Sequence, residues 1–165
     1  MKKLVFSAVL VLSLGLTACG EAEKPIPKNE TIENPTPKVS NEVQWQEELT
    51  KLASNADIAA DKFYALEKLL MDYEATDEEV KEFSTQIVND YKSGNYLSEI
   101  DNHERMLSNI FKSYYVEKNS EGALKDFAFD YFQNMKYTYR GVDTVDSEAV
   151  KSNEEQMNEA LKQIK

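Results

Sequence analysis

Residues 45–73 read WQEELTKLASNADIAADKFYALEKLLMDY, and the spacing of their apolar residues decides the fold class. Trp45, Leu49, Leu52, Ala56, Ala59, Phe63, Leu66, Leu70 and Tyr73 alternate steps of four and three residues, which gathers their side chains into one seam along an α-helix. A helix over 41–74 is predicted, and its seam needs an apolar partner. Working outward, residues 41–165 hold no proline and only Gly94, Gly122 and Gly141, in a stretch rich in Glu, Lys, Leu and Ala. That is the composition of long helices. The glycines, together with the capping-box pattern of Thr76 followed by Glu79, divide the remainder into predicted helices over 77–92, 96–118, 121–140 and 146–164. Val80, Phe83, Ile87 and Tyr91 form the seam of the first of these. Tyr96, Ile100, His103, Leu107, Ile110 and Tyr114 serve the next, and Val150, Met157, Leu161 and Ile164 the last. Short turns between such helices favour an all-α, antiparallel bundle of about four to five helices over one extended coiled coil.

The helix over 121–140 differs from the others. Leu124, Phe127, Ala128, Tyr131, Phe132, Met135 and Tyr139 cover an arc wider than a two-helix seam, with Phe129 and Tyr137 outside its centre. A helix apolar over most of its circumference belongs among several others, so it is expected at the middle of the bundle. Most of these rings read as core, since tyrosine commonly buries its ring and keeps its hydroxyl wet. The surplus reads as a contact surface, because Tyr and Phe concentrate in interface cores. Phe129, Tyr137, Tyr139 and Arg140 are the candidate interaction residues.

Upstream of residue 41 the composition changes. Pro25, Pro27, Pro35 and Pro37 lie among Glu, Lys, Asn and Thr, with Ile26, Ile32 and Val39 as the large apolar residues of 21–40. That is too little apolar surface to offset the entropy of ordering, so 19–40 reads as a disordered tether. Twenty residues of Pro-rich chain reach on the order of 40 to 60 Å. Before it, Lys2 and Lys3 precede an apolar run over 4–16, LVFSAVLVLSLGL. A helix of that length reaches only about 20 Å against a hydrocarbon core of about 30 Å, so the run reads as a signal h-region that is removed.

The run ends in Leu16-Thr17-Ala18-Cys19-Gly20, which resembles the lipobox of bacterial lipoproteins. The resemblance implies a diacylglyceryl group on the sulfur of Cys19, cleavage before it so that 1–18 is lost, and an acylated new N-terminus of the palmitate type. It accounts for a lone cysteine, which in a secreted protein otherwise asks for an explanation. The implied address is the extracytoplasmic face of the cell membrane, with 41–165 as the helical domain.

The chain has 165 residues, 19 basic and 30 acidic, for a net charge of −11. Phosphate backbones are held mainly by Lys and Arg, so nucleic acid is excluded as a partner. Anionic headgroups repel the same surface, so any membrane link must be covalent or inserted. Catalytic signatures are weak. His103 is the single imidazole, and Glu99 lies one helical turn before it, a spacing that suits an oriented base. Di-iron bundles need Glu-x-x-His on two helices, however, and position 100 is Ile. A zinc site made almost wholly of carboxylates contradicts zinc's ligand preference. No Gly-x-Ser-x-Gly elbow or phosphate loop occurs. Carboxylate pairs such as Asp126 and Asp130, Glu78 and Glu82, or Glu154 and Glu155 read as ordinary acids on solvated faces, with a weak divalent-cation site as the alternative.

These readings converge on a lipid-anchored binding module with an envelope protein as partner, no cofactor and no metal. Two alternatives stand beside it: an envelope-polymer enzyme or modulator using Glu99 and His103, and a structural oligomer zipped through the first seam.

Overall fold

The computed structural model describes residues 41–164, with side chains from Gln44 onward. The expected signal peptide 1–18, Cys19 and the tether 19–40 lie outside the described residues. Within them the protein is an all-α bundle of six helices: α1 Asn41–Ser54, α2 Ala59–Asp72, α3 Asp77–Lys92, α4 His103–Asn119, α5 Gly122–Tyr139 and α6 Glu148–Leu161. None of these helices is long and apolar enough to cross a membrane.

The single helix expected over 41–74 is two. Asn55 ends α1, its Oδ1 accepting from the Asp57 backbone N–H at 3.0 Å and its Nδ2 donating to the Asp57 carboxylate at 2.8 Å. Such a side-chain turn competes with helical hydrogen bonding. Lys62 completes the break. It is fully buried, and its Nζ donates to the carbonyl oxygens of Leu52, Ala53 and Asn55 at 3.0, 3.1 and 2.8 Å and to Asn55 Oδ1 at 2.6 Å. A donor from α2 thus satisfies the orphan carbonyls at the end of α1. The seam survives on both halves, but Ala56, in the break, is exposed.

The helix expected over 96–118 is also shortened, to α4. Residues 93–102 form turns that bury Tyr96 and Leu97. Asn102 caps α4 by accepting from the Arg105 N–H at 3.2 Å. Arg105 fastens the turns from below, donating to the carbonyls of Tyr96 at 3.0 Å and Asn95 at 3.2 Å. The capping box stands as expected, Thr76 Oγ1 accepting from the Glu79 N–H at 3.2 Å and the Glu79 carboxylate accepting from the Thr76 N–H at 2.8 Å. Gly94 and Gly141 follow α3 and α5 with φ of 74° and 68°, where a side chain would be strained.

The most extensive helix contacts join α4 to α5 and α5 to α6, and α5 also touches α2 and α3. Its central place agrees with its wide apolar arc, and α4 shares that place, touching α1, α2, α3 and α5. Phe127, Ala128, Tyr131 and Met135 of α5 meet Met106, Leu107, Ile110, Phe111 and Val116 of α4 in one core. Trp45 of α1 stacks on Phe111 with centroids 4.6 Å apart and meets Phe83 of α3 edge-on at 5.6 Å. Tyr115 reaches from α4 to the end of α2, donating to the carbonyls of Leu70 and Tyr73 at 2.9 Å each.

Candidate functional site

Two surfaces of α5 carry the candidate features. The first is the aromatic, cationic face expected from the sequence. Positions 129, 132, 136 and 140 fall on one side of a 3.6-residue helix. Phe129 is 46% exposed and Tyr139 is 2% exposed, while Tyr137 and Arg140 are half-buried. The Tyr139 hydroxyl lies 3.0 Å from His103 Nδ1, and burial pushes its pKa up to about 12. Tyr139 therefore belongs to the core, and Phe129, Tyr137 and Arg140 make up the accessible part.

Cations line this face. Lys136 Nζ sits 4.9 Å from the Tyr137 ring, 5.5 Å from Phe132 and 5.8 Å from Phe63. The Arg140 guanidinium lies 5.2 Å from both Phe63 and Tyr64 of α2 and donates to the Tyr64 hydroxyl at 3.0 Å. These contacts hold α2 against α5 and orient the two charges.

The second surface is a groove of about 710 Å³ between α5 and α6. Asp126 and Asp130 line it from α5, Glu155 and Glu159 from α6, and its remaining lining is small or uncharged polar side chains. Asp130 departs from the sequence reading of solvated acids: it is 6% exposed. Burial, then the negative charge of Asp126, raises its pKa to about 6. The pair at 126 and 130 was visible in the sequence, but the packing of α6 that buries one member was not. The other pairs divide differently. Glu78 and Glu82 are both exposed. Glu155 faces the groove, whereas Glu154 accepts from the Tyr96 hydroxyl at 2.8 Å.

Glu154 belongs to a polar layer that the spacing did not disclose. Tyr96 also accepts from Asn134 Nδ2 at 3.0 Å, and Asn134 Oδ1 accepts from Asn153 at 2.7 Å. Nearby, Asp90 takes hydrogen bonds from Arg105 at 2.7 Å, Asn109 at 3.1 Å and Tyr131 at 2.6 Å. Burial, followed by the charge of Asp90, pushes the Tyr131 pKa well up. This layer joins α3, α4, α5 and α6 and holds the 93–102 turns in place.

Glu99 and His103 do not form the expected one-turn helical pair. His103 is the first residue of α4, and Glu99 lies in the turns before it. The Glu99 carboxylate accepts from Asn102 at 3.1 Å, while the imidazole meets Tyr139. Among the described residues no group of three or more His, Cys, Asp and Glu side chains can hold a metal ion. Comparison with family models, with curated proteins and with solved structures gives no match.

Proposed function

We propose that this chain is a lipid-anchored lipoprotein of the extracytoplasmic membrane face whose helical bundle is a binding module for an envelope protein. One observation carries the reading: the only cysteine of the chain, Cys19, ends the lipobox-like Leu16-Thr17-Ala18 after a charged and then an apolar segment. The proposed mechanism is confinement. An anchor restricts the bundle to a thin layer, and a Pro-rich tether of some twenty residues lets it search a few nanometres outward. Linking in this manner raises effective concentration toward the millimolar range for short linkers, so a modest intrinsic affinity suffices. Phe129 supplies an exposed ring, and the Tyr137 and Arg140 end of the same helix, with its oriented cations, supplies the rest of the contact surface further along the axis, aromatic rings and arginine being enriched at interfaces.

The experiment is affinity capture from native membranes with the wild-type chain, Cys19→Ala, and the double variant Phe129→Ala with Tyr137→Ala, in cells fed labelled palmitate. The wild type takes up label and retains its partner. Cys19→Ala loses both the label and membrane retention. The double variant keeps the label and loses the partner. Unlabelled wild type would refute the anchor, and undiminished capture by the double variant would refute the surface.

A further inference from the structure

The groove between α5 and α6 has a property that a row of solvated acids lacks. Asp130 is more than nine-tenths buried and lines the groove, yet among the described residues no donor reaches its carboxylate. Its oxygens are not among the fully enclosed unpartnered atoms, so they open to the groove, and a carboxylate so far withdrawn from water without a donor carries a desolvation cost. Such a group points to a ligand that brings both a donor and a positive charge. The lining agrees, since four carboxylates line the groove, Glu159 alone of them holding an ion pair among the described residues, with the exposed Lys162 at 2.6 Å, and no Lys or Arg lines it.

We propose that this groove binds a linear organic polycation, with a protonated amine on Asp130 at the floor and further amines on Asp126, Glu155 and Glu159 along the walls. Asp126 and Asp130 are four residues apart on α5, as are Glu155 and Glu159 on α6. Each helix therefore repeats its carboxylates at about 6 Å along its axis, and ammonium groups joined by short methylene chains meet such a repeat. Ala123 and Ala160 leave room at the groove for those methylenes. A metal ion does not fit the arrangement. Calcium and magnesium need converging oxygen ligands, and no three acidic side chains converge among the described residues. Burial and the Asp126 charge raise the Asp130 pKa to about 6, and the positive charge of a bound ammonium opposes both by favouring the ionised carboxylate. The chemistry is shared by free polyamines and by a lysine-rich segment of a partner. The site belongs to the bundle alone, so it stands or falls independently of the anchor.

The test is calorimetric titration of the purified full chain near pH 7.5 at constant ionic strength, with spermine, with a tetralysine peptide, and with magnesium chloride for comparison. One spermine or one tetralysine binds per chain, about tenfold more tightly than magnesium. Asp130→Asn weakens that binding about tenfold with helicity retained, and Glu78→Gln on α3, outside the groove, leaves it unchanged. Should Asp130→Asn fail to fold, the double variant Asp126→Asn with Glu159→Gln, at exposed positions, weakens it by a similar factor. Tighter binding of spermine assigns the site to free polyamines, and tighter binding of tetralysine assigns it to a partner segment. Both support the proposal. No saturable binding of either amine, binding indifferent to the groove variants, or binding of magnesium as tight as that of the amines would overturn it.

Discussion

Lys62 is fully buried at 0% exposure and decides where α1 stops. Its Nζ gathers three backbone carbonyls and one amide oxygen around the end of that helix. Lys62→Met keeps the apolar stem and leaves those oxygens without their donor. Hydrogen bonds to charged groups contribute about 1.5–3 kcal/mol each, and relaxation of the α1–α2 turn recovers part of the total. Lys62→Met is therefore expected to cost about 2–3 kcal/mol in urea denaturation, and a loss within about 0.5 kcal/mol would show that the cap is dispensable. Asp130 acts in the opposite sense. Its folded-state pKa is raised to about 6 from an ordinary 3.8, so the folded state holds that proton more tightly than the unfolded chain. The stability contributed by this proton is full below the ordinary value and is lost as pH rises through about 6. Asp130→Asn removes the dependence. The variant is expected to melt above the wild type at neutral pH, with the difference vanishing as pH falls below about 4. Thermal melts across that range check it, and a pH-independent difference would contradict it.

Elements were legible in proportion to how local their causes are. The bounds of α3 follow from Thr76, Glu79 and Gly94, all within or next to the helix they delimit, and the structure places α3 at Asp77–Lys92. Thr76→Ala removes the cap that accepts from the Glu79 N–H, and a loss of about 1 kcal/mol is expected. Hydrogen exchange in the first turn of α3 should rise with it, and unchanged exchange there would contradict the cap's role. The α1–α2 break was hidden because its apolar steps continue in register through Ala56, although Ser54, Asn55 and Asp57 are turn-forming residues. The turns at 93–102 were hidden for a different reason. They are fixed by Arg105, which follows them in the next helix, and by Tyr96 contacts on α5 and α6, the latter partners distant in sequence. The acidic groove was half legible: Asp126 and Asp130 mark one face of α5, while the burial of Asp130 comes from α6, which local spacing cannot report.

For the whole molecule, composition and spacing specify an acidic all-α bundle with α5 at its centre, and the structure adds α4 beside it there. The seam of α1 and α2 is filled from within the chain, Trp45 by Phe111 and Phe83, and Phe63 by Lys136 and Arg140 of α5. That occupancy leaves these seam residues covered within the chain rather than free to zip to a second copy. The proposed role turns on Cys19, because without an anchor the gain from confinement disappears. Intact-mass spectrometry of the chain extracted from membranes tests this most directly. The predicted species begins at Cys19 and carries a diacylglyceryl thioether with an acylated amine. A species that retains residues 1–18, or one that begins at Cys19 with a free thiol, would contradict the account.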